Sequence, residues 1–480
     1  MTPALPTDAT LEAPALPKLP TYRHPRRLVA AGLAAGALGN GWFVDAPLGV
    51  GFFVFALGWV IALRALGGLE SWQRAGSTKL LLAPLLVFAG FVAIRDSPTL
   101  TMLNVLAVAA LAALAVQSFT GEQRLTSLGV RGYIASTLGG LFRSAFAGPV
   151  VVADSVNVGT SVEVARTYAR PVFRAALFAV PVLALFGALL ISADAVFSRL
   201  ITERLGALLD GDWASAITTI GVVGGIGVAT TGLWATALRR RPAVVTAKEP
   251  ASGARLQAVE SFAIVGSLLV LFAGFSAIQA ACLFGHVALP ADMTWAEYAR
   301  QGFFQLLAVA GLTLALLTGL SRLVFLPAAQ QRFFQLACTA LVGLTWLILA
   351  SAVKRLTLYE EAYGFTELRV FSHVFAFALA GMLLWRAVTM WALRETFATG
   401  AMAGLIAFVL ALDMLNPDAF IARKNLERFA DSGVVDGDYL AGLSADADDV
   451  MRAAGRPRTL SAREGGGWAS ANLARWSASR

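Results

Sequence analysis

Charge, histidine and cysteine are all scarce in this chain of 480 residues. Only 14% of positions are Asp, Glu, Lys or Arg, and there are three histidines and two cysteines. Soluble domains carry about a quarter charged residues, so this composition excludes that class. Cys282 and Cys338 both lie inside apolar runs, with no Cys-x-x-Cys spacing. They read as small buried hydrophobes, and neither a disulfide framework nor a thiolate metal site is expected. His24, His286 and His373 are too dispersed to propose a metal site. Walker A, Gly-x-Ser-x-Gly and His-Glu-x-x-His motifs are missing, as is a Gly-x-Gly-x-x-Gly after a strand, so the usual soluble-enzyme chemistries have no support and no cofactor is implied.

Hydrophobic residues make up 57% of the chain, and they come in runs long enough to cross a bilayer. Spans are predicted near 28–44, 48–66, 79–94, 99–119, 171–192, 214–238, 258–282, 303–325, 333–352, 370–391 and 397–415. The expected fold is therefore all-α, a polytopic transmembrane helix bundle of about eleven spans. Asp45 with Pro47, and Asp96 with Pro98, break the first two hairpins into tight turns. The chain divides into a disordered Pro-rich tail over 1–27, a transmembrane helical domain over 28–415 and a soluble helical C-terminal module over 416–480. Two connections are helical in pattern without reading as spans. In one, Ile134, Leu138, Leu141, Phe142 and Ala145 recur at helical spacing between Arg131 and Arg143; in the other, Phe197, Leu200, Ile201, Leu205 and Leu208 do the same. Both suit helices lying in the headgroup plane.

The formal net charge of +8 comes mainly from arginines in short loops between apolar runs, which points to membrane topology and anionic lipid rather than nucleic acid. With the N-terminus inside, the cytoplasmic loops hold about a threefold excess of Lys and Arg, as the positive-inside rule requires. An odd span count then leaves the C-terminal tail outside, in the envelope of a bacterium whose arginine-rich usage fits a GC-rich genome. In that tail Asn416 can cap a helix opened by Pro417, and Ser444 or Asp446 a second one. Trp468, Asn472 and Trp476 are spaced to share a helical face against headgroups or the bundle. The expected partners are the lipid bilayer and, through the tail, an envelope protein; the oligomeric state is left open.

Specific chemistry concentrates between the ninth and tenth predicted spans, where Tyr359, Glu360, Glu361, Tyr363, Glu367, Arg369 and His373 interrupt the apolar pattern. Tyr359 and Tyr363 are one turn apart, Gly364 can end their helix with a positive φ, and Arg369 and His373 share a face of the next one. Such a group serves either as an interfacial charge cluster fixing a hairpin or as an outward site for a polar ligand or proton relay. Asp194, Glu297, Arg300 and Asp413 are secondary candidates. Glu297 stands at capping-box spacing after Thr294, and Asp413 lies close enough to Asn416-Pro417 to sit at the surface. Asn40, Asn104 and Gln279 are the notable uncharged polar residues deeper in the spans. Gly32-x-x-x-Gly36, Gly221-x-x-x-Gly225 and Gly400-x-x-x-Gly404 offer close helix approach.

The stretch Tyr359-Glu360-Glu361-Ala362-Tyr363-Gly364-Phe365-Thr366-Glu367-Leu368-Arg369 resembles the signature of a bacterial membrane-protein family, domain of unknown function 4173, a relative of 4153. Similar in the same way are Ser192-Ala193-Asp194-Ala195-Val196-Phe197, the segment Glu297 to Phe304, the segment Asn416 to Asn425, and Asn472-Leu473-Ala474-Arg475. The resemblance implies a fold and a membrane location and carries no activity. A non-catalytic envelope protein that senses or scaffolds is the leading expectation, with a secondary transporter and an interfacial transferase using Glu360, Glu361 and Glu297 as alternatives.

Overall fold

The computed structural model describes residues 24–44, 46–119, 128–155, 212–238, 258–284, 303–393, 396–433, 435–456 and 468–479. The Pro-rich tail up to residue 23, the span expected at 171–192, the helix expected at 197–208, and Asp194, Glu297 and Arg300 lie outside the described residues. Within them the chain is all-helical. In order, the helices are α1 (Pro25–Phe43), α2 (Val50–Arg74), α3 (Leu82–Ile94), α4 (Pro98–Phe119), α5 (Val130–Ser155), α6 (Asp212–Leu238), α7 (Ala258–Phe284) and α8 (Phe303–Leu323). They continue with α9 (Ala328–Tyr363), α10 (Glu367–Trp391), α11 (Phe397–Leu415), α12 (Pro417–Ser432), α13 (Gly437–Ala441), α14 (Asp448–Ala453) and α15 (Leu473–Ala478). Nine helices among the described residues are long and apolar enough to cross a membrane, and the 78–94 segment is a shorter apolar helix. The chain is a multi-pass integral membrane protein. Its outward residues agree: Ile61, Leu312, Phe333, Leu347, Phe377 and Leu405 are each more than half exposed, a surface that lipid covers at no cost.

Close helix contact is set by glycine. A Cβ on Gly36 of α1 would lie 2.1 Å from the Val223 carbonyl oxygen of α6, and one on Gly32 would meet Thr231, whose hydroxyl donates to the Leu28 carbonyl at 3.3 Å. Gly148 and Gly232 bring α5 and α6 together in the same way. Gly400 admits the Trp385 indole of α10, whereas Gly221 has nothing within 4 Å. Two of the three Gly-x-x-x-Gly pairs are thus contact surfaces. Without a hydrophobic force between helices in lipid, such backbone approach is a main source of cohesion.

Two apolar cores follow. One gathers Leu63, Leu85, Phe88, Phe119 and Trp234 from α2 to α6; the other gathers Leu317, Leu341, Ile348 and Leu383 from α8 to α10. Helices α9 and α10, and α10 and α11, are antiparallel neighbours, and α9 runs unbroken for 36 residues where a span of only 333–352 is expected. Its last turns carry the Tyr359–Tyr363 stretch, and the helix ends at Gly364 with a positive φ, as the sequence predicts. Both ends of α5 meet one end of the bundle: the Tyr133 hydroxyl bonds Thr399 near the start of α11 at 3.4 Å, and the Ser155 carbonyl accepts from Arg26 at the start of α1 at 3.4 Å. The helix therefore runs obliquely across that end, with Ile134, Leu138, Leu141 and Phe142 exposed along it. We call this the basal end. The opposite end, where α1 meets α2, α3 meets α4 and α9 meets α10, is covered by α12 to α15.

Candidate functional site

Gly364 adopts φ +80° after α9, its N–H closing on the Glu360 carbonyl at 2.7 Å, and Thr366 precedes α10 in extended conformation. That turn folds the signature stretch onto itself. The Arg369 guanidinium lies over the Tyr359 ring at 4.2 Å and donates to the Gly364 carbonyl, while the Tyr359 and Tyr363 rings pack at 4.9 Å. Glu360 is buried, 2% exposed, with its carboxylate 3.2 Å from Nδ1 of His373. Glu361, one residue along, projects to solvent. Adjacent residues on a helix face different ways, so the two glutamates do not line a common cavity. Glu360 and His373 form one pair, Arg369 with Tyr359 another, and Glu361 and Tyr363 stay outside both.

The remainder of the cluster is held by the C-terminal helices. Asn425 of α12 accepts from the Phe365 N–H at 2.7 Å and donates to the Phe365 carbonyl at 2.9 Å, satisfying both backbone groups of the turn. A side chain at residue 364 would collide with that amide, since a Cβ there would sit 2.7 Å from Asn425 Oδ1. Arg428 donates to the Glu361 and Ala362 carbonyls at 3.0 and 2.6 Å, filling the open end of α9. The Glu367 N–H donates to the Tyr439 hydroxyl at 2.9 Å. Burial of the Tyr439 ring raises that phenol above its ordinary range, and the Glu367 N–H opposes the rise.

A second polar network joins the same helices to the turn between α3 and α4. The Arg95 guanidinium donates to the Asp413 carbonyl at 2.8 Å and lies 3.7 Å from the Asp446 carboxylate. Asp446, 7% exposed, accepts from the Asp96 and Ser97 N–H groups at 2.7 and 2.9 Å, satisfying free donors at the start of α4. Burial raises its pKa; those two N–H groups and Arg95 act against the rise, while Asp418 adds to it. Arg475 pairs with Asp96 at 2.6 Å and also donates to the Leu48 carbonyl at 2.9 Å. Asn472 caps α15 with its side-chain oxygen and donates to the Val92 and Arg95 carbonyls. Trp468 meets Trp42 of α1 at 5.1 Å.

Beneath this network Asp413 and Asn104 are both 0% exposed, and the Asn104 amide donates to Asp413 at 2.8 Å. Asp413 is thus removed from the surface position that its nearness to Asn416-Pro417 suggests, because Arg95 and the C-terminal helices close over the end of α11. One oxygen of each group has no protein partner among the described residues.

Asn416 caps α12 as the sequence predicts; Ser444 caps the 3-10 turn Ala445–Ala447 instead of α14, which follows Ala447 without a side-chain cap, and Asp446 reaches across to α4. Trp468, Asn472 and Trp476 do not share one helix face, since 468–470 is a separate 3-10 turn and Asn472 is the cap that follows it. Pattern reasoning misses Arg95, Asp96, Asn425, Arg428 and Tyr439, whose partners are hundreds of residues away or backbone groups that leave no sequence trace. Among the described residues no group of three or more His, Cys, Asp or Glu is placed to hold a metal.

A family model described as domain of unknown function 4153 matches residues 82–454, more than half of the chain, and the chain belongs to that family. This is the relative named beside 4173 in the sequence resemblance. The match stops short of Asn472 and Arg475, so their pins to the loops lie outside the shared region. No curated protein and no solved structure matches the chain.

Proposed function

We propose that this member of a family without an assigned activity is a non-catalytic protein of the bacterial inner membrane, sensing or scaffolding through the cap formed by α12 to α15. In this reading the N-terminus is cytoplasmic, the cap is extracytoplasmic, and residues 416–480 form a soluble module on the membrane domain. The observation that carries it is the use of polar groups for clasping. Glu360 and Arg369 bind within the α9–α10 hairpin, and Asn425, Arg428, Asp446, Asn472 and Arg475 couple the cap to three inter-helix turns. An interfacial transferase needs acids converging on a wet cavity, and Glu360 and Glu361 diverge instead. A secondary transporter needs a polar site near the midplane, whereas Asp413 lies two residues from the end of α11.

A photo-crosslinking residue in place of Trp468 or Trp476, both more than half exposed, tests the reading in intact cells. The expected result is a discrete adduct with an envelope component that weakens when Asn472→Ala and Arg475→Ala release the cap. Solute uptake by the purified protein in proteoliposomes, abolished by Asp413→Asn, would replace this reading with transport.

A further inference from the structure

A cavity of about 550 Å³ opens at the basal end, between the end of α8, the start of α9, the end of α10 and the start of α11. That volume is within the range of small-molecule sites, roughly 300–1,000 Å³. Among the described residues two arginines line it, Arg322 and Arg386, and no aspartate or glutamate does.

Arg386 is 3% exposed, yet the groups it meets among the described residues are uncharged: the Leu317 carbonyl at 3.2 Å, the Thr389 hydroxyl at 3.3 Å and the face of Phe397 at 5.0 Å. Its Nε has no partner among the described residues. A guanidinium stays protonated in a protein, so a buried one without an anion is costly and rare. Arg322 is exposed at the rim, a second positive charge on the path inward. Like charges on one cavity destabilise each other until an anion lies between them. Thr318, Ser321 and Gln331 add neutral polar groups to the wall, and the remaining lining, such as Leu320 and Phe334, is apolar.

We propose that this cavity binds a phosphate group, held by Arg386 at its base and Arg322 at its mouth. Two arginines on one cavity match a multiply charged tetrahedral anion, and the planar guanidinium fork pairs with phosphate oxygens in bidentate fashion. The group can arrive on a soluble phosphate compound or on the headgroup of an anionic lipid, whose chains would lie along the apolar wall.

The full chain, purified in a neutral detergent, is heated with inorganic phosphate, with acetate at equal ionic strength, and in nanodiscs of phosphatidylcholine with or without phosphatidylglycerol. The expected result is a rise of about 2–4 °C in unfolding temperature with phosphate or with phosphatidylglycerol, abolished by Arg322→Gln and by Arg386→Gln and kept by Arg332→Gln, a nearby arginine that does not line the cavity. Protection by inorganic phosphate assigns a soluble ligand; protection by phosphatidylglycerol alone assigns a lipid headgroup. No rise with either, an equal rise with acetate, or a rise unchanged by Arg322→Gln overturns the proposal. Arg322 is exposed, so its variant keeps the test decisive even where Arg386→Gln fails to fold.

Discussion

At the scale of single residues, the buried pair of Asn104 and Asp413 bears on stability. Removing the amide leaves a buried carboxylate oxygen without its donor, and Asn104→Ala is expected to cost about 1–3 kcal/mol, read as a lower unfolding temperature in detergent. Replacing both partners with leucine removes the unpaired group as well and should recover much of that loss; a double variant no better than the single would show that the pair is not its source. Asp446 gives a pH dependence. Its folded pKa is raised by burial, so its contribution is complete below the ordinary aspartate value of about 3.9 and is lost as pH rises through the folded value. Asp449 runs the other way: the Ser477 hydroxyl, then Arg452, lower its pKa, so its contribution is present above the ordinary value and lost only at lower pH. As pH falls from neutral towards the ordinary aspartate value of about 3.9 the wild type should therefore gain stability relative to Asp446→Asn, and a gap that does not move with pH would contradict this. The sequence alone marks Asp413 and Asn104 as polar residues of interest. It cannot bury them, because their burial depends on Arg95 and a cap more than three hundred residues away from it.

At the scale of elements, helix contacts sort the glycines. Gly36→Leu would drive a side chain into the Val223 carbonyl, and overpacking of that kind costs about 1–3 kcal/mol or more. Gly221→Ala, with open space around it, should be neutral. Size-exclusion profiles and unfolding temperatures of the two variants separate these outcomes, and equal behaviour would remove the packing role assigned to α1 against α6. All three Gly-x-x-x-Gly pairs look alike in sequence, since the motif says that a close approach is affordable and says nothing of whether a neighbour takes it. Helix existence was easier to read: apolar runs at 258–282, 303–325 and 397–415 correspond closely to α7, α8 and α11. Helix ends were harder. Gly364 marks the stop of α9 in the sequence, but the expected span of 333–352 gives no sign that Arg428 fills the Glu361 and Ala362 carbonyls at that end or that Asn425 holds the Phe365 turn beyond it.

At the scale of the molecule, residues 332 and 470 lie at opposite ends of the bundle. With Cys282 and Cys338 replaced by alanine, only one of Arg332→Cys and Ser470→Cys should react with an impermeant maleimide in intact cells, and the expected one is Ser470→Cys. Labelling of both, or reversal of the two, would contradict the topology drawn from the basic loops. The cap was legible as a compositional change at Asn416, but its seat on the turns at Leu48, Arg95 and Gly364 was not, since those bonds run to backbone carbonyls and N–H groups that every sequence possesses. Helix α9 ties the two ends together. At 1.5 Å per residue its 36 residues extend about 54 Å, well beyond a hydrocarbon core of about 30 Å. It carries Gln335 and Cys338 on the basal cavity and Glu360 beneath the cap. A stiff rod of that length has the geometry of a lever: a tilt of about 5° about its middle would displace each tip by roughly 2 Å in opposite directions.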